Sequence, residues 1–338
     1  MALTSRQQQV LQIIVDEYVL APLPVASDVV TIKMPTRLSS ATVRNEIAVL
    51  AEEGYIIRPH TSAGGVPSDK GYRAYVESLG EDLEPSFQVK QIVREHFSEA
   101  GLDVEATGRT AARLLAELVH TMAISTIPFT RMPRWKHLEI VHIQGLLVLL
   151  IIVMQGSTKL RQLPVLLKEP VTQDQLTRIS NKLNFEFDGL SINQINARDV
   201  ELSQHERDIA GVAVDLLKRE DETSLPNHFI DGLRHMFSYP ELSQGARAQS
   251  VAELLEYQQL VPLLIADAPE TGTVRVNIGS ENKNDILSPF TVVFARYDTP
   301  SAGSGVIGVM GPTRFKYASA ITNVRYLASV MTASAEQS

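Results

Sequence analysis

The chain has 338 residues, 44% hydrophobic and 21% charged, a globular composition that excludes a disordered chain. That length exceeds one small core and points to roughly two or three domains. The absence of cysteine excludes disulfides, iron–sulfur clusters and thiol nucleophiles and fits a reducing compartment, while a net charge of −8 gives no whole-chain attraction to phosphate.

The first residues, MALTSRQQQ, are polar and carry no apolar segment of the kind that makes a signal peptide. The longest apolar run, LLVLLIIVM at 146–154, is too short for a membrane-spanning helix, which needs roughly 20 residues, and reads as a buried strand. A cytoplasmic protein is expected.

Thr4 or Ser5 caps a first helix in which Leu11, Ile14, Val15 and Tyr18 form one apolar stripe. The two prolines of APLP at 21–24 stop it, because proline has no N–H to donate. Residues 25–32 read as a short second helix, and MPTRL breaks the chain again. A serine cap opens a third helix over SSATVRNEIAVLAEEG, which ends at Gly54. YIIRP then alternates enough for a short strand, and HTSAGGVPS at 60–68 forms a polar tip.

In the third helix Val43, Ile47 and Leu50 share a face, and the opposite face carries Ala41, Asn45 and Ala48 flanked by Thr42 and Arg44. Small and hydrogen-bonding residues suit a DNA major groove, where the backbone can approach and side chains reach base edges. The alternative is an ordinary solvated face. The tip has the same duality: it is a hairpin wing lying along phosphates, with Gly allowing close approach, or a plain surface hairpin. Over 36–73 five Lys or Arg stand against four acids, so charge decides neither way.

Further along, SLGEDLEPSF at 78–87 is acidic and contains proline, as a linker does. Two helical stretches follow up to Thr126. Residues 137–166 read as a β-meander, broken at Gly145 and at 155–158. TQDQLTRISNKLN, ELSQHERDIAGVAVDLLKRE, HFIDGLRHMFSYPEL and RAQSVAELLEYQQLVPLL read as helical; TVRVNIG, FTVVFARY and GVIGVMG read as strands; and KYASAITNVRYLASVM closes the chain as a helix. Strands drawn from distant sequence imply an α+β fold, in which 137–166 and 273–311 are expected to share one antiparallel sheet around an insertion.

GSGVIG at 303–308 satisfies G-x-G-x-x-G, but β-rich sequence and Pro312 follow it where a dinucleotide site needs a helix. His137, His142, His228 and His235 lack metal-ligand spacing. No phosphate-loop, nucleophile-elbow or zinc-protease motif occurs. No catalytic residue, metal or cofactor site is expected, and the apolar strands can line a pocket or simply pack a core.

The strings LTSRQQQVLQIIVDEYV, LSSATVRNEIAVLAEEGYI, PHTSAGGVPSDKGYRAYV, VNIGSEN at 276–282 and GVIGVMGPTRFKYASAITNVRYLA at 305–328 resemble the HrcA family of heat-inducible transcription repressors. Both ends match with long strings; residues 80–270 match in pattern only. Gly65 stands where the family usually carries a basic residue. The resemblance implies a multidomain α+β protein: an N-terminal winged helix-turn-helix over 1–80, a GAF-like domain over 88–167 and 263–338, and an inserted dimerisation domain over 168–262. It implies a homodimeric, DNA-binding repressor of the groE and dnaK chaperone operons in the heat-shock response. Such a dimer binds an inverted repeat of double-stranded DNA and is released when unfolded clients titrate the chaperonin GroEL. By position Ser40, Thr42, Arg44 and Asn45 contact bases or phosphates, His60, Thr61 and Ser62 act from the wing, and Lys70 and Arg73 hold the backbone. The alternatives are a metabolite-responsive regulator sensing through the GAF-like domain and a winged helix that docks protein.

Overall fold

The computed structural model describes residues 3–36, 38–59, 64–80, 83–101, 103–129, 134–155, 160–223, 227–242, 253, 260–299 and 303–336. The chain divides into two compact units, one of residues 1–126, 228–297 and 306–338 and one of residues 127–227 and 298–305. The second unit thus begins at 127 and returns to the first at 228, where the sequence suggests an insertion over 168–262.

The first unit opens with α1 (Ser5–Leu20), α2 (Ser27–Lys33) and α3 (Ser40–Glu52). Thr4 caps α1 reciprocally: its hydroxyl accepts from the Gln7 amide at 3.3 Å, and its own amide donates to Gln7 Oε1 at 2.9 Å. Val10, Leu11, Ile14 and Val15 of α1 are buried with Val43, Ile47 and Leu50 of α3, each contributing about 1.5–3 kcal/mol of apolar burial. Tyr18, expected on that stripe, is only half-buried. A two-stranded ladder follows, β1 (Ile56–Ile57) against β2 (Val66–Pro67), and then α4 (Asp69–Ser78). Ser68 starts α4 by accepting from the Gly71 amide at 3.1 Å while donating to the Gly54 carbonyl at 2.6 Å. The Tyr-rich stretch after the tip is therefore a helix, and Tyr72 and Tyr75 bury against Tyr317, ring centroids 5.5 and 6.2 Å away.

Next come α5 (Phe87–Ala100) and α6 (Val104–Val119), then a five-stranded sheet. Its strands are β3 (Met122–Thr126), β7 (His228–Asp231), β8 (Val274–Ile278), β9 (Phe290–Thr299) and β10 (Gly303–Pro312), in the order β7-β3-β10-β9-β8. Short α10 (Leu233–Met236) and α11 (Leu260–Ala266) precede β8, and α12 (Tyr317–Glu336) closes the chain. Two of these strands read as helix in the sequence. Every residue of β3 is buried, so it shows no two-residue alternation, and it pairs with β10 through Ile307↔Ser125 and its neighbours. In β7 and α10, Phe229, Leu233 and Met236 mimic a helical stripe, yet His228–Asp231 pairs with β3.

The second unit holds its own three-stranded sheet, β4 (Arg134–Gln144), β5 (Leu147–Gln155) and β6 (Arg161–Leu166), in that order. This corrects the expectation that 137–166 and 273–311 form one sheet. The five-stranded sheet takes β3 and β7 instead, and the strands of the meander pair with one another. Helices α7 (Gln173–Phe187), α8 (Ile192–Ala197) and α9 (Gln204–Thr223) follow. Buried Val148, Leu150 and Ile152 of β5 join Leu176, Ile179 and Leu183 of α7 in one core. Asn184 ties α7 to the sheet: its Oδ1 accepts from the Trp135 indole at 3.0 Å and the Leu138 amide at 2.7 Å, and its Nδ2 donates to the Leu138 carbonyl at 2.9 Å.

Candidate nucleic-acid interface

The apolar stripe of α3 faces inward, so its opposite face is turned to solvent. Ser39 caps the helix, its hydroxyl accepting from the Thr42 amide at 3.1 Å, and no acidic residue occupies the first turn. Partial positive charge at that end therefore meets no carboxylate from the helix's own first turn. Ser40, Ala41, Arg44 and Asn45 are exposed, and Thr42 and Ala48 are half-buried. The Thr42 hydroxyl sits 2.8 Å from that of Ser39, so it shares in the cap. Arg44 reaches toward the Ser27 hydroxyl, with Nε 3.5 Å away. On the flank, Arg6 of α1 pairs with Glu46 at 3.3 Å.

Of the predicted residues, the structure therefore brings Ser40, Thr42, Arg44 and Asn45 together on one helix surface. His60, Thr61 and Ser62 lie outside the described residues. The two basic residues placed on the DNA backbone have protein partners. The Lys70 ammonium donates to the Glu53 carbonyl at 2.7 Å and lies 4.1 Å from the Tyr55 ring centroid, which ties it to the C-terminal end of α3. Arg73 donates from Nε to Glu281 Oε1 at 2.7 Å and from Nη2 to the Val276 carbonyl at 2.6 Å and to Glu281 Oε2. The hydrogen bond to Glu281 raises the guanidinium pKa further. Arg58, exposed just after β1, is a cation near the ladder that the sequence reading did not assign.

Gly65 also has a definite role. Its amide and carbonyl both bond Val25, each at 2.9 Å, and it is buried. A Cβ there would lie 3.0 Å from Ile56 Cδ1 and 3.6 Å from Ile14 Cδ1. A side chain at 65 would begin in the core, and the glycine fits the close approach of α1 and β1.

A mixed α and β protein whose N-terminal helices present a small, polar helix face to solvent has the build of a transcription regulator. The family model described as HrcA protein C terminal domain matches residues 105–321. A heat-inducible transcription repressor HrcA from Dehalococcoides mccartyi strain BAV1 is 37% identical over 329 residues, covering 97% of this chain and 95% of the relative. One from Chloroflexus aurantiacus is 32% identical over 349 residues, covering 98% and 93%. This chain belongs to the HrcA family of heat-inducible transcription repressors. A crystal structure of a hypothetical protein at 2.2 Å resolution has the same fold, with a TM-score of 0.57, 23% identity and 99% of each chain covered. Among the described residues no helix is long and apolar enough to cross a membrane.

Proposed function

We propose that this chain silences chaperone operons, groE and dnaK among them, by binding as a homodimer to an inverted-repeat operator. The observation that carries the proposal is the α3 surface: a capped helix with a buried apolar stripe and an outward face of Ser40, Arg44, Asn45 and two alanines. In this reading residues 1–80 are a winged helix-turn-helix and α3 lies in the major groove. Asn45 and Arg44 contact base edges, and Ser40 and Thr42 contact the backbone near the helix start. His60, Thr61 and Ser62 form the wing tip. Lys70 and Arg73 serve the module's own attachments.

The five-stranded sheet with its helices is read as the GAF-like domain. The second unit is read as the dimerisation domain, its limits moved to 127–227 with 298–305. The outer face of its sheet supports this, since Leu147, Leu149, Ile151 and Val153 of β5 are only half-buried and Leu166 of β6 is 75% exposed. Two-fold symmetry of the protein then mirrors that of the operator. GroEL keeps the repressor competent, and heat withdraws GroEL to unfolded clients.

The test is a footprint of the intact chain on a chaperone promoter, with and without GroEL. Two protected half-sites about one helical turn apart, deepened by GroEL, are expected. Uniform or absent protection under both conditions refutes the proposal.

A further inference from the structure

A cavity of about 360 Å³ opens in the first unit between α12, β9 and the turn before β8. That size falls in the range of small-ligand sites, about 300–1,000 Å³. Its charged lining is Arg296 of β9 and Arg325 of α12. Thr273, Ser329 and Thr332 add hydroxyls. Arg325, Ser329 and Thr332 fall at i, i+4 and i+7, so α12 turns them to one side. Ala295 and Ala328 leave the space between them open.

The polar groups differ in what they offer. Arg296 Nε is buried and has no hydrogen-bond partner among the described residues. A buried donor of this kind ordinarily finds an acceptor, and the residue that carries it is one of the cavity's lining residues. The hydroxyls have already used their hydrogens: Thr273 donates to the Glu270 carbonyl at 2.6 Å, Ser329 to Tyr326 at 2.7 Å and Thr332 to Ala328 at 3.1 Å. They present lone pairs to the cavity. The two arginines thus supply cationic charge and the hydroxyls supply acceptors.

We propose that this cavity binds a small metabolite that carries an oxyanion, carboxylate or phosphate, together with hydroxyl groups. The oxyanion meets the guanidiniums, which match planar carboxylate or phosphate oxygens in a fork, and the hydroxyls donate to Thr273, Ser329 and Thr332. The bordering turn leads directly into β8, whose Val276 carbonyl holds Arg73.

The test is isothermal titration of the full chain with 3-phosphoglycerate, glycerate and glycerol phosphate, against sodium chloride at matched ionic strength. Saturable binding of at least one organic probe, one per chain, is expected. The glycerate and glycerol phosphate arms tell carboxylate from phosphate recognition. Arg296→Gln should weaken that binding at least tenfold. Ala333→Phe, at an exposed position on the rim, should do the same without touching the core. No saturable binding of any organic probe overturns the proposal, and so does binding that both variants leave unchanged. No DNA enters these titrations, so the operator reading is tested separately.

Discussion

Arg73 of α4 and Glu281, 208 residues apart in the chain, form a forked ion pair that the Val276 carbonyl completes at 2.6 Å. Beside it Asp69 accepts from the Ser280 amide at 3.0 Å and from the Ser280 hydroxyl at 3.1 Å. On another side Arg314 donates to the Val19 carbonyl of α1 at 3.0 Å and to Glu241 Oε1 at 2.7 Å. The N-terminal helices are therefore held to the five-stranded-sheet body at two places by charged hydrogen bonds. Both partners of the Arg73 pair keep about a third of their side-chain exposure, 30% and 32%, so solvent screens it.

A double-mutant cycle of Arg73→Ala and Glu281→Ala should accordingly show a coupling of about 1 kcal/mol in chemical denaturation. The salt dependence of DNA binding should be the same for Arg73→Ala as for the parent chain. A slope shallower by about one unit would return Arg73 to the phosphate contacts.

Gly71 sits inside α4, where replacing glycine by alanine in an exposed helix usually stabilises by about 1 kcal/mol. Here a Cβ would stand 2.0 Å from the Tyr55 carbonyl oxygen. Gly71→Ala should instead destabilise the chain by about 1–3 kcal/mol, the usual cost of overpacking. The sign of the change in urea midpoint decides the matter.

Asp267 links the end of α11 to β8. Burial works to raise its pKa, but hydrogen bonds from Asn277 and Lys283 and the charge of Arg275 outweigh burial and hold the carboxyl below its usual range. A depressed folded pKa means stability that is present above the unfolded value, near ~3.9, and lost as pH falls through the folded one. Asp267→Asn should be less stable than the parent chain at pH 7, with the gap narrowing as the pH drops below about 4. Denaturant midpoints at both pH values give the comparison, and a gap that stays constant contradicts it.

Leu149 lies on the outer face of β5, paired across the ladder with Val141 and Pro164. Leu149→Glu would bury a charge in any interface formed by that face. It should turn a dimer into a monomer in sedimentation while the fold, read by circular dichroism, stays intact. A dimer that persists would move the interface elsewhere.

Local chemistry carried much of this structure into the sequence. The buried Val43, Ile47 and Leu50 and the serine cap of α3 follow from a 3.6-residue period and from the hydroxyl that an orphan N–H needs. What stayed hidden depends on partners far away. The run 146–154 is apolar on both faces, so no period could say that Val148, Leu150, Ile152 and Met154 are the ones that enter the core. Met122–Thr126 becomes a strand because β10, some 180 residues later, supplies its neighbour. Arg73 is placed on the DNA backbone by its position after the tip, and the sequence there gives no sign of a carboxylate 208 residues away. The cavity under α12 needs Arg296 and Arg325 on two different elements, a juxtaposition only the fold creates.

Fluorescence anisotropy with a chaperone-operon inverted repeat and a scrambled duplex, for the parent chain and Asn45→Ala, tests the role of α3 most directly. The parent chain should prefer the operator by roughly 10³-fold or more. Asn45→Ala should lose about 1–3 kcal/mol on the operator, roughly 5- to 150-fold, and almost nothing on the scrambled duplex. An equal loss on both duplexes, or no preference in the parent chain, would contradict base reading by α3.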